Sequence, residues 1–167
     1  MKVLNPMGGN GNSEVPTPQA LYNRLDAEFH FTLDVCASAE NAKCARFLSG
    51  PCIGGDSCEC GLCSSWAGET CWMNPVYTAR EIDKWIDKAL LEAARGATVV
   101  GLLLLSGSPK WARRSVPKAH DMRLIYPRIE FTEGVNSQSR DHMLLVWRGP
   151  HIPGTVPLVT MWTWLGD

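Results

Sequence analysis

Asn74-Pro75-Val76-Tyr77 is a short polar turn between an apolar stretch, Cys71 to Met73, and a helix-forming one, and its residue types suit one kind of chemistry. The Asn74 side-chain carbonyl and the Pro75 backbone carbonyl offer two acceptors to a planar amine whose lone pair is delocalised into a ring. Held by both N–H bonds, such a nitrogen is drawn toward a pyramidal geometry that can attack an electrophilic methyl group. Pro75 fixes the backbone, and its missing N–H costs nothing in a turn. Tyr77 supplies a ring face for base stacking, which tolerates any base and is worth roughly 1–3 kcal/mol. Amines of this type on adenine or cytosine are out of reach inside a duplex, so the base is expected to be flipped or single-stranded. The four letters alone also fit an ordinary turn with a packed tyrosine.

Two other segments carry chemistry. Between Lys110 and Arg128, six basic residues (Lys110, Arg113, Arg114, Lys118, Arg123, Arg128) face Asp121 alone, a local charge of +5 in a chain of net charge −1. Such a run is either a solvated helix face or a phosphate-binding patch. Lys110, Arg113, Arg114 and Lys118 are the residues expected to contact DNA. The loop at residues 52–63 holds Cys52, Cys58, Cys60 and Cys63 among glycines, a set that can supply a structural, tetrahedral zinc site with no open position. A loop of free thiols is the competing reading, because the usual double Cys-x-x-Cys spacing is absent.

The elements that must position these residues follow from periodicity. Residues 1–15, rich in Gly and Asn, read as a flexible arm. Thr17 is expected to cap a helix with Pro18 in its first position and a buried stripe of Leu21, Leu25 and Phe29. A strand from Phe31 to Cys36 and a second helix, capped by Ser38 and carrying Ala42, Ala45 and Phe47, come next. After the turn at residue 74, Thr78 and Glu81 form a capping box for a helix whose apolar face is Ile82, Trp85, Ile86, Ala89, Leu90 and Ala93, stopped by Gly96. The run Ala97 to Leu105 lacks alternation, as expected of a strand covered on both faces, and so predicts a mostly parallel sheet with helices on both faces. A basic helix from about Pro109, strands near 122–126, 128–132 and 142–147, and a Pro-punctuated tail at 151–167 packing on the same domain complete the reading. The strand-turn-helix order puts Asn74 at the C-terminal edge of the sheet, where open α/β folds hold ligands.

Length and composition, 167 residues of which 45% are hydrophobic, fit one domain. The longest apolar run, Val99 to Leu105, is far short of the roughly 20 residues of a membrane span, and no export signal precedes it. A cytoplasmic protein with free or metal-bound thiols is expected. Trp111, Trp147, Trp162 and Trp164 read as packing residues.

Several blocks together resemble the phage-type DNA N6-adenine methyltransferases, the small Dam-like family. They are Thr17-Pro18-Gln19 with Leu21 and Tyr22, the stretch 31–38, Glu40 to Cys44, Trp66, Trp72 to Tyr77, and Lys84-Trp85. The resemblance spans roughly residues 16–148 and implies a reduced Rossmann-like fold over 16–150 that takes S-adenosylmethionine and methylates N6 of adenine in DNA. By it, Thr17 and Pro18 look like the N-terminal cofactor motif, with helix N–H groups for the methionine carboxylate, and Asp34, Cys36 and Ala37 look like the first-strand motif. Asn74, Pro75 and Tyr77 look catalytic. Two departures stand out. Val76 replaces the second of two prolines, and Ser65 replaces an Asp that could contact cofactor or base. A phage-encoded enzyme would act in the bacterial cytoplasm. The alternatives are an N4-cytosine methyltransferase and a non-catalytic DNA-binding protein that keeps the fold.

Overall fold

A computed structural model describes residues 17–49, 58–77, 81–129 and 140–165. Its elements are α1 (Gln19–Phe29), β1 (Leu33–Asp34), β2 (Thr70–Met73), α2 (Glu81–Ala94), β3 (Thr98–Leu104), α3 (Lys110–Ser115), β4 (Asp121–Tyr126), β5 (His142–Arg148) and β6 (Leu158–Thr163). The strands form one sheet in the order β1-β2-β3-β5-β4-β6. Every strand runs the same way except β5, which is antiparallel to both β3 and β4.

Alternation along the central strands sorts their side chains onto two faces. Cys71, Met73, Val99, Leu103, Met143, Leu145 and Trp147 pack on one face with Ile82, Ile86, Ala89 and Ala93 of α2 and with Trp111 of α3. Trp72, Val100, Leu102, Leu144 and Val146 pack on the other with Leu21, Tyr22, Leu25 and Phe29 of α1. Helices thus cover both faces, which is why β3 is buried from Val99 to Leu103 and shows no polar alternation. Gly101 interrupts that run because Met73 and Trp147 close over it: a Cβ there would stand 3.0 Å from Met73 Cε and 3.1 Å from Trp147 Cζ3. Gly96, at φ +101, takes the backbone out of α2 in a conformation open to glycine. The residues just before that helix, including the capping residue Thr78, lie outside the described residues, as do the arm at 1–15 and Cys52.

The segment after β1 departs from expectation. Residues 38–49 form no helix; a single turn at Ser38 gives way to bends, and Phe47 bridges back to Asp34. A side-chain acceptor explains it. Asp34 Oδ2 takes the Lys43 N–H (3.0 Å), an amide that would bond the Ala39 carbonyl if the turn at Ser38 continued as a helix. The strand expected near 128–132 is also absent at Arg128 and Ile129, and its remaining residues lie outside those described. The tail, expected only to pack, contributes β6, which pairs with β4 in parallel from Leu158 to Thr163.

Candidate active site

β1 and β2 are parallel neighbours, so their C-terminal ends bring the segments 34–37 and 74–77 side by side. Asn74 follows β2 directly, with its backbone N–H facing the Cys36 thiol, and a side-chain hydrogen bond orients it. Its side-chain Nδ2 donates to Thr17 Oγ1 at 3.2 Å. With the amide nitrogen engaged, Oδ1 is the end left to accept, and it receives no hydrogen bond among the described residues.

Thr17 therefore does not cap α1 as expected. The N-cap position is Pro18, no side chain caps the helix, and the first intrahelical bond runs from Tyr22 N–H to the Pro18 carbonyl. Buried Thr17 is spent on Asn74 instead, and the first-turn amides of Gln19 and Ala20 remain as anion donors at the positive end of the helix dipole.

Asp34 is buried, and its two oxygens accept the Cys36 amide at 3.3 Å and the Lys43 amide at 3.0 Å. Burial pushes its carboxyl above the ordinary value, against the opposing pull of those two amides and of the Lys43 charge. The carboxylate therefore shapes the loop that carries Cys36 and Ala37. Burial, with Asp34 nearby, likewise pushes the Cys36 thiol well up, so the sulfur beside Asn74 stays protonated. Ala37 holds the loop's return by donating its N–H to the Leu48 carbonyl. Lys43, in the block Glu40 to Cys44, closes the ring by donating from Nζ to Gln19 Oε1 at 2.9 Å, a contact made by the fold-back of 38–48 onto α1.

Pro75 is buried and Val76 half-buried, and the Val76 N–H donates to nothing among the described residues. Among the described residues, a proline at that position would forgo no hydrogen bond. Tyr77 is anchored more firmly than a ring free to stack. Its hydroxyl donates to the Leu102 carbonyl at 2.9 Å and accepts the Leu104 N–H at 2.7 Å. Burial pushes that phenol well above its ordinary range.

Ser65 lies elsewhere. It is exposed before the start of β2, with Oγ 3.5 Å from Glu92 in the last turns of α2, while Asn74 follows the other end of the strand. Four residues of β2, about 13 Å of strand, separate the two ends.

The basic run is divided. Arg114 bonds Asp83 and Asp87 of α2, each at 3.0 Å, and Arg123 and Arg128 are likewise paired, with Glu28 and Asp121 and with Asp141. Lys110, Arg113 and Lys118 are exposed and make no ion pair among the described residues. Arg113 lines an apolar cleft of about 390 Å³ with Leu105, Val116, Met122 and Met143, just beyond the strand end that Tyr77 grips. Cys58, Cys60 and Cys63 gather their Sγ atoms within 4.8 Å of one another.

These features define a class: a mixed α/β protein with a methyltransferase-like layout, its polar turn, helix N-terminus and first-strand loop meeting at the C-terminal edge of a mostly parallel sheet. The family model described as DNA N-6-adenine-methyltransferase (Dam) matches residues 13–154. The chain is also 29% identical over 130 residues to the DNA N-6-adenine-methyltransferase of Haemophilus phage HP1 (strain HP1c1), a match covering 75% of this chain and 69% of the relative. The chain belongs to the DNA N-6-adenine-methyltransferase (Dam) family.

Proposed function

We propose that this protein methylates N6 of adenine in DNA, with S-adenosylmethionine held between the N-terminus of α1 and the 34–37 loop and the target base held at Asn74 to Tyr77 on a reduced Rossmann-like sheet. The single observation that carries the reading is the Asn74–Thr17 hydrogen bond, which joins the base-binding turn to the cofactor edge. The donor set fits the cofactor: uncapped amides of Gln19 and Ala20 suit its carboxylate, and small Ala37 leaves room beside them. When bound, S-adenosylmethionine supplies a methyl group activated by its sulfonium.

The chain's own part is positioning. Asn74 Oδ1 and the Pro75 carbonyl accept the two N–H bonds of the target amine and leave its lone pair directed away from the ring. Tyr77, its hydroxyl fixed to β3, keeps its ring in one plane for the flipped base. No general base is required before transfer, because the amine loses its extra proton to water afterwards. Lys110, Arg113 and Lys118 neutralise phosphates and bring DNA across the sheet edge. No helix among the described residues is long and apolar enough to cross a membrane. A phage-borne enzyme of this kind acts in the cytoplasm of its bacterial host.

The deciding experiment incubates the purified protein with S-adenosylmethionine and unmethylated DNA, single- and double-stranded, and quantifies modified nucleosides by mass spectrometry, with Asn74→Ala alongside. N6-methyladenine that vanishes in the variant supports reaction and site together. N4-methylcytosine would move the substrate and keep the mechanism. Absence of any product from folded protein would leave a DNA-binding protein that keeps only the fold.

A further inference from the structure

Cys58, Cys60 and Cys63 lie outside the proposed chemistry, yet the fold gathers them closely. Their Sγ atoms all fall within 4.8 Å of one another, with Cys58 and Cys60 at 3.4 Å. Tetrahedral zinc with Zn–S bonds of about 2.3 Å spaces its thiolates about 3.8 Å apart. The three sulfurs therefore stand near metal-ligand spacing with little backbone movement left to make. A disulfide would join two of them and strand the third, whereas one borderline-soft cation takes all three.

The turn that carries the thiols is braced. Cys63 and Ser64 both donate their N–H to the Cys60 carbonyl, at 3.0 and 2.9 Å. Gly61 within it is pressed so tightly that a Cβ would run into the Val35 carbonyl oxygen and meet the Trp85 ring at 2.7 Å. The Gly61 carbonyl accepts Trp66 Nε1 at 2.9 Å, and Trp66 stacks on Trp85 with ring centroids 6.4 Å apart. Val35 is the residue before Cys36. The thiol turn thus backs directly onto the strand end where Asn74 is bonded.

We propose that Cys58, Cys60 and Cys63 bind one zinc ion as thiolates and that the metal locks the Cys60 turn against Val35, stiffening the 34–37 loop for S-adenosylmethionine. The second half rests on the function proposed above; the metal site does not. Binding releases the thiol protons to solvent, one for each thiolate formed, and changes no oxidation state. Three sulfurs fill three of the four positions zinc prefers.

The test uses the full chain produced with zinc in the medium. Elemental analysis is expected to find about one zinc per chain, lost in Cys58→Ser/Cys60→Ser and kept in Cys44→Ser. X-ray absorption at the zinc edge is expected to show three or four sulfur neighbours. Because the double variant can fail to fold, wild-type protein stripped by a chelator is titrated with Co²⁺, where a thiolate-to-cobalt charge-transfer band displaced by zinc supports the site. No stoichiometric zinc together with no such band overturns it. Calorimetric titration with S-adenosylhomocysteine then compares loaded and stripped protein, and a roughly tenfold weaker Kd on stripping is expected. An unchanged Kd overturns the coupling. Failure of S-adenosylhomocysteine to bind either form would count against the proposed function, while the zinc count would still stand.

Discussion

Asn74 and Thr17, 57 positions apart in the chain, are joined by a 3.2 Å hydrogen bond from the carboxamide nitrogen to the hydroxyl. This bond decides which end of the carboxamide is available to accept. Thr17→Val keeps the volume of a buried residue and removes the acceptor. One hydrogen bond is worth about 1 kcal/mol net, so kcat should fall about fivefold and the melting temperature by about 2–4 °C. Thr17→Ser should restore most of it, and Asn74→Ala should cost roughly a hundredfold or more. Single-turnover rates on one DNA substrate read all three, and a Thr17→Val enzyme as fast as wild type would deny Thr17 its positioning role.

Tyr77→Phe separates the ring from its anchor. The ring remains for stacking, but the Leu102 carbonyl and the Leu104 N–H lose their shared partner at the end of β3. A stability loss of about 1–3 kcal/mol in urea unfolding is expected, with DNA affinity nearly kept. Tyr77→Ala should lose both, since the stacking surface goes as well.

Arg113 and Arg114 are adjacent in sequence and differ in environment. Lys110→Ala/Arg113→Ala should weaken DNA binding uniformly across sequences and lower the slope of log Kd against log salt by about 2, with stability unchanged. Arg114→Ala should leave that slope alone and lower the melting temperature, because it frees Asp83 and Asp87 on α2. Fluorescence anisotropy over a salt series distinguishes the two variants.

Glu92 gives a pH signature. The carboxylate is wholly buried and accepts from Trp66 N–H at 2.8 Å, Lys88 Nζ at 2.7 Å and Arg95 Nη1 at 3.2 Å. Burial alone would raise its pKa. The Lys88 hydrogen bond, the Trp66 amide and the charges of Lys88 and Arg95 outweigh that and hold it below the ordinary 4.5. A depressed carboxyl contributes stability that is present above its unfolded pKa and lost as pH falls through the folded one. Glu92→Gln should therefore be less stable by about 2 kcal/mol at neutral pH, with the gap closing only below pH 4.5. A gap that stays constant down the acid limb of the melting profile would show that the charge is not what stabilises.

What could be read from residues in order was local. The apolar stripes of α1 and α2, the doubly covered run of β3, and the turn of Asn74 to Tyr77 at a strand's end all follow from spacing, because each depends on neighbours a few positions away. Tertiary structure decided the rest, and in each case the partner is remote in sequence. Ser38 to Phe47 has helical composition, yet the Asp34 carboxylate takes its Lys43 amide and turns it into a loop. Thr17 looks like a cap until Asn74 arrives beside it, and Arg114 looks like a phosphate ligand until α2 presents two carboxylates. The tail shows its strand only where β4 offers an open edge. Local pattern determines which faces are buried; which polar groups meet is a matter of distance, and distance exists only once the chain has folded.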